Sequence, residues 1–204
     1  MKIYDVKDFP NPRRVRIFLA EKGVADITYQ QVNFADHEHR QPDYLEKNPY
    51  GGIPVLELDD GTCISESVAI CRYFEEQSGG PKLMGTNPEE KALIEMWSRR
   101  IEDTILNRAL AFFHHATDGL GSLEIYQNKD WGIKSKELLI DGLKNLDEQL
   151  AHKQFAVGET FTLADITAVC SIDLMTWLGI DIPTEFVNIT RWYDFISSRP
   201  SLAA

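Results

Sequence analysis

At 204 residues the chain is long for one domain and comfortable for two small ones, and its make-up of 43% hydrophobic and 26% charged residues is ordinary globular composition. The net charge is -11, with 9 Lys+Arg against 14 Asp+Glu in residues 1–80 and 12 against 18 beyond, so neither half carries the basic footprint of a nucleic-acid binder. The apolar runs are too short for a membrane span, the amino terminus lacks the order of a signal peptide, and three cysteines without CxxC spacing read as small apolar side chains in a reducing, cytoplasmic setting.

"MKIYDV" alternates apolar and polar residues and predicts a strand. The following "NPRRVRIFLAEKG" predicts a helix, with Asn11 as the N-cap, Pro12 at the first helical position, Gly23 closing the end, and Val15, Phe18 and Leu19 on the buried face. Arg13, Arg14 and Arg16 then crowd a helix N-terminus that is already partly positive, an arrangement costing a few tenths to ~1 kcal/mol per cation unless something anionic faces it. Solvation, or pairing with carboxylates of the second domain, is the plain expectation for these arginines.

"DITYQQVNF" is strand-like, "HEHRQPDYLEKNP" is a polar loop with at most one irregular helical turn, and "IPVLEL-DDG-TCIS" is a hairpin. "ESVAICRYFEEQSG" is an amphipathic helix. The β-α-β then β-β-α order predicts a small α/β domain of thioredoxin type over residues 1–80. A Gly/Pro-rich stretch, 81–88, reads as a linker, and 89–204 shows helical patterns only. The first is one long helix from Pro88 to Thr117 with Leu93, Trp97, Ile101, Ile105 and Leu106 among its apolar positions. Two more follow, over "IKSKELLIDGLKNLDEQLAHK" and "FTLADITAVCSIDLMTWLG", and a last one over "ITRWYDFISSRP". The third opens on a capping box of Thr162 and Asp165 with Phe161 and Ile166 as a staple, and Trp177, Trp192 and Tyr193 read as core.

The chemistry concentrates in "NPYGGIPVLELDDGTCISES". Pro54 after two glycines suggests a rigid turn with a cis Ile53–Pro54 bond, freeing the Ile53 backbone to bind an extended peptide. Glu66 and Ser67 open a helix whose free N–H groups favour a carboxylate. A small, peptide-like anion is the implied ligand. His114 and His115 are adjacent and face different sides of a helix, a poor metal pair, and no metal is indicated.

Through "NPRRVRIFLAEKG", "NPYGGIPVLELDDGTCISESVAICRYFEE", "FTLADITAVC" and "RWYDFISSRP", the chain resembles the cytosolic glutathione transferases over nearly its whole length. The resemblance implies a thioredoxin-like domain binding glutathione as co-substrate, an all-helical domain lining a pocket for a hydrophobic electrophile, and a homodimer. It implies that Ile53 and Pro54 hold the cysteinyl part of glutathione, Glu66 and Ser67 the γ-glutamyl carboxylate and amine, and His39, with Gln41 as an alternative, the glycyl end. Gly52 stands where relatives often carry Lys, Arg or Gln, which removes one contact. Phe9 occupies the place of the catalytic Ser or Cys of other classes and can do neither job, and Tyr4 lies within a strand. Asn11 remains, resembling bacterial members in which an asparagine amide is proposed to donate to the sulfur. A helix cap without chemistry is its other reading. Phe9, Arg100, Asp103 and Asn107 are the electrophile-pocket candidates.

The expected activity is conjugation of the glutathione thiolate to an electrophile. A glutathione-dependent disulfide reductase using the same site is one alternative, and a non-catalytic glutathione-binding or regulatory module of the same fold is another.

Overall fold

The computed structural model describes residues 1–204. They form two compact units, Met1–Leu83 with Pro200–Ala204, and Met84–Arg199. The last five residues therefore belong with the first unit, a departure from the expected 1–80, 81–88 and 89–204 division. Hydrogen bonds explain it: Arg13 Nη2 donates to the Leu202 carbonyl at 3.2 Å, and the Ser201 hydroxyl donates to the Glu21 carboxylate.

The first unit runs β1 (Lys2–Asp5), α1 (Pro10–Lys22), β2 (Thr28–Gln31), a 3-10 turn (Glu38–Arg40), α2 (Pro42–Leu45), β3 (Val55–Glu57), β4 (Cys63–Ser65) and α3 (Ser67–Gln77). The sheet order is β2-β1-β3-β4, with β1 and β2 parallel and the other two pairs antiparallel. This is the thioredoxin-like βαβ–ββα arrangement the element order implies. Alternation along the strands serves both faces: Ile3 and its partner Leu56 are buried, and so are their neighbours Tyr4 and Val55, which cluster with Val32 and Tyr44.

Helix α1 buries Val15, Phe18 and Leu19 as its spacing implies, and Gly23 ends it with φ 69°, a left-handed value that glycine adopts without a Cβ clash. Its start differs from expectation. Phe9 is the N-cap and Pro10 the first helical residue, so Asn11 lies inside the first turn and caps nothing. The arginines of this helix have partners within the first unit. Arg14 is buried and bonds Ser67, Arg16 gives two N–H groups to Asp5 and covers the Tyr29 ring, and Arg13 bonds Leu202.

The second unit contains α4 (Pro88–Ile101), a π-helical turn (Glu102–Leu106), α5 (Asn107–Ala116), a 3-10 turn (Gly121–Leu123), α6 (Lys129–Leu150), α7 (Leu163–Trp177) and α8 (Val187–Ile196). The expected long helix is thus continuous but widened at its middle. There the Thr104 hydroxyl donates to the Arg100 carbonyl at 2.6 Å, competing for an acceptor of the regular ladder. Every residue from Phe161 to Ile172 is buried, which makes α7 the central helix of this unit. The Thr162–Asp165 capping box is present as expected. Trp192 is fully buried, but Trp177 is 69% exposed and meets Phe113 edge to face, so it is no core residue. Leu93 also faces solvent. No helix is long and apolar enough to cross a membrane.

Candidate functional site

The start of α1 and the start of α3 meet through one guanidinium. Arg14 Nη1 donates to Ser67 Oγ at 2.8 Å and to Asn11 Oδ1 at 3.4 Å, the second contact being long and weak. Ser67 is the first residue of α3, and Glu66 before it holds φ 68° and ψ 116°, a conformation that L-residues avoid at a cost on the order of 1–3 kcal/mol. Strain of that kind persists where surrounding contacts dictate it, and the first N–H groups of α3 have no partner within the helix.

Ile53 joins this group through sheet register. Val55 pairs with Ser65, and Ile53 and Ser67 each lie two residues beyond that pair, at the same end of β3 and β4. The Ile53–Pro54 peptide bond is cis. Ile53 itself lies outside the ladder, which begins at Val55. The preceding turn is anchored from α2's side: Tyr44 Oη and Asn48 Nδ2 each donate to the Gly52 carbonyl at 2.9 Å.

His39 closes the circuit. A Cβ on Gly51, where φ is 64°, would come within 2.9 Å of the His39 carbonyl, so the two backbones are in direct contact and glycine is required there. The His39 ring is stacked on Phe34 with centroids 4.2 Å apart, and Phe34 meets Phe9, the α1 N-cap, edge to face at 5.0 Å. His39 is only 2% exposed, and its Nδ1 is buried without a hydrogen-bond partner. It is not a solvated loop histidine. Burial, reinforced by the charges of Arg40 and His37, pushes its pKa below the ordinary value, which keeps the ring neutral near pH 7.

Asn11, Arg14, Ser67, Ile53, Gly52, Gly51, His39, Phe34 and Phe9 therefore form one ring of neighbours in the first unit. The ring presents helix N–H groups, an unladdered backbone segment, a neutral imidazole and an amide. It suits an extended anion with a peptide backbone. Phe34, Tyr44 and Asn48 were not among the residues picked from the sequence, and Arg14 was picked only as one of three crowded cations. A signal for Arg14 was present, because it shares the helical face of Val15, Phe18 and Leu19, where a cation must be buried and bonded.

The electrophile-pocket candidates divide. Phe9 belongs to the aromatic chain just described. Arg100 stands 5.0 Å from the Trp97 ring and lines, with Thr104, Asn145 and Gln149, a cavity of about 510 Å³ between α4 and α6. Asp103 and Asn107 lie off that cavity and bond each other at 3.3 Å. No three His, Cys, Asp or Glu side chains gather as a metal site, and His114 instead contacts Glu124 at 2.7 Å.

Comparison with known proteins identifies a family for this architecture. The glutathione S-transferase N-terminal domain model covers residues 10–77 and the C-terminal domain model residues 120–200. Glutathione S-transferase 2 of Saccharomyces cerevisiae is 39% identical over 204 residues, spanning 99% of this chain and 88% of the relative. A crystal structure of a glutathione S-transferase domain-containing protein from Marinobacter aquaeolei VT8 superposes with a TM-score of 0.97 at 45% identity, over 99% of this chain and 100% of that one. A glutathione S-transferase from Methylobacillus flagellatus KT, solved with glutathione bound, gives a TM-score of 0.85 at 25% identity, over 99% and 96%. The chain belongs to the glutathione S-transferase family.

Proposed function

We propose that the ring around Asn11, Ser67, Ile53 and His39 binds glutathione and that the enzyme conjugates its thiolate to a hydrophobic electrophile. The observation that carries this reading is the meeting of the α1 and α3 N-termini at the Arg14–Ser67 hydrogen bond, at the same end of the sheet as the Ile53 backbone, which lies outside the ladder. Ser67 and Glu66 take the γ-glutamyl carboxylate and amine, Ile53 with Pro54 the cysteinyl backbone, and His39 the glycyl end.

Mechanistically the protein supplies position and a lowered thiol pKa. A free thiol titrates near ~8.5. The α1 N-terminus and the amide of Asn11 both favour the thiolate, and Asn11 Oδ1 is turned toward Arg14, which leaves its Nδ2 hydrogens to donate elsewhere. The thiolate then attacks the electrophile, forming the C–S bond while the leaving group departs or the attacked double bond takes a proton. Cys71 and Cys170 are buried and Cys63 is half-buried on β4, so none stands at the α1 N-terminus. That supports conjugation over a dithiol or mixed-disulfide reductase. The reading includes a homodimer, which sedimentation of the purified chain checks.

Titration of thiolate absorbance for bound glutathione, in the wild type and in Asn11→Ala, tests the assignment. The bound thiol should titrate below its solution value in the wild type and about one unit higher in the variant, the size of one hydrogen bond to a charged group. Binding with an unshifted thiol sinks the transferase reading. A low pKa in both proteins removes Asn11 and leaves the helix terminus as activator.

A further inference from the structure

We propose that α6 and α8 cap each other's ends, and that this exchange makes the start of α8 and the end of α6 one clasp, which opens as a single piece without global unfolding. Asp147 and Arg191 are its two pins.

Neither helix is equipped to finish itself. Phe186, the residue before α8, offers no side-chain cap, and the first turn of α8 carries no acidic residue. The leading N–H groups are bonded all the same, because Asp147 of α6 stands in for a local cap. Its Oδ1 accepts from Asn188 N at 2.8 Å and Ile189 N at 3.0 Å, and its Oδ2 accepts from Asn188 Nδ2 at 2.8 Å. Asn188 and Ile189 are the second and third residues of α8, the pair an ordinary N-cap side chain serves.

The other end mirrors this. The last turn of α6 has no basic residue and runs into Ala151 rather than a left-handed glycine. Arg191 of α8 reaches back and donates from Nη2 to the carbonyls of Leu150 at 2.5 Å and Lys153 at 3.3 Å. The carboxylate thus faces the partly positive start of one helix and the guanidinium the partly negative end of the other, the favourable sense for both dipoles.

The pins act together because they join the same two ends. Parting those ends strands three donors, two carbonyls and a carboxylate only 9% exposed, so a half-open clasp bears the desolvation without the contacts. The flanks lie at the surface: Val187 is 62% exposed, and residues 152–154 are exposed too. Beyond Arg191 the anchorage changes, since Trp192 is fully buried and donates from Nε1 to Asp165 at 3.0 Å. Opening therefore stops there and stays local.

The test is native-state hydrogen exchange, followed amide by amide in the wild type, Asp147→Ala, Asp147→Asn and Arg191→Met, with circular dichroism to confirm folding. Each variant is read at the end whose cap it leaves in place. In Asp147→Ala the amides of Ala151 and Lys153, which bond Glu148 and Leu150, should exchange roughly tenfold faster, although alanine is the better helix former. In Arg191→Met the amides of Asn188 and Ile189 should accelerate by a similar factor. Asp147→Asn keeps an acceptor for α8 and should change both ends less. Amides of α7 from Ile166 to Ile172 should stay within about threefold of wild type throughout. Acceleration confined to the end whose cap was removed overturns the proposal. Equal acceleration in α7 overturns it as well, because the opening is then global unfolding. If Asp147→Ala fails to fold, Asp147→Asn and Arg191→Met decide.

Discussion

Phe34 lies flat on His39, their ring planes 6° from parallel, and the same Phe34 ring meets Phe9 edge to face, joining the loop after β2 to the N-cap of α1. A protonated imidazole buried there would lose solvation without gaining a carboxylate partner, which is the physical source of its lowered pKa.

The consequence is a pH-dependent stability. His39 is neutral in the fold and charges near ~6.5 when unfolded, so its support is present above that value and is lost as pH falls through the lower folded-state pKa. Denaturation of wild type and His39→Gln at pH 8 and pH ~5 should show the wild type losing stability relative to the variant on acidification. A constant difference between the two proteins would contradict a buried neutral histidine.

Asp165 should behave in the opposite sense. Its carboxylate accepts from Ala156 N at 2.8 Å, Thr162 N and Trp192 Nε1 at 3.0 Å each, and the Thr162 hydroxyl at 3.1 Å. Complete burial nevertheless pushes its pKa up to about 6, outweighing those donors. Folding thus takes up a proton here, and the contribution is fully present below the unfolded ~3.9 and lost as pH rises through about 6. Relative to Asp165→Asn, the wild type should gain stability between pH ~7 and ~4. Asp165→Ala, which orphans the Trp192 and backbone donors, should cost about 3 kcal/mol or more in urea denaturation.

Gly142 permits the close approach of α6 to the π-helical turn. A Cβ there would lie 2.6 Å from the Thr104 carbonyl and 2.9 Å from an Ile105 side-chain carbon, one contact being rigid backbone. Gly142→Ala should destabilise by roughly 1–3 kcal/mol despite the better helix propensity of alanine. A raised melting temperature would show that the turn yields to the added methyl.

Lys22 and Glu75 form a buried pair at 3.0 Å, with Lys22 also donating to the Pro81 carbonyl at 2.9 Å. Removing one charge strands the other, so Lys22→Met should cost about 3–5 kcal/mol. Replacing both residues by apolar ones should restore much of that loss in the same melt.

Local patterning made the two domain types legible: the capping box of α7, the hairpin of β3 and β4, and the glycine closing α1 are all written within a few residues. The backbone part of the site was legible for the same reason, since Ile53-Pro54 and Glu66-Ser67 are contiguous signals. What stayed hidden depended on distant partners. Asn11 looked like a cap because cap preference is read from residue type, whereas the actual start of α1 was set one proline earlier, at Pro10. Trp177 looked like core by size and spacing, but it lies at the end of α7 with little beyond it to be buried against. The bonds of the three arginines to Asp5, Ser67 and Leu202 were not legible, because the fold brings these partners to them.

The last segment of the chain gives the first unit an unusual history during synthesis. Arg13 and Leu202 are 189 residues apart, and Glu21 and Ser201 are 180 apart. A ribosome emits its product from the amino end, and domains ordinarily fold as they emerge. Here the sheet and its helices can assemble early, but the surface of α1 is not completed until the whole helical unit has been translated. The unit whose sheet can assemble early is completed only after the helical unit has been made.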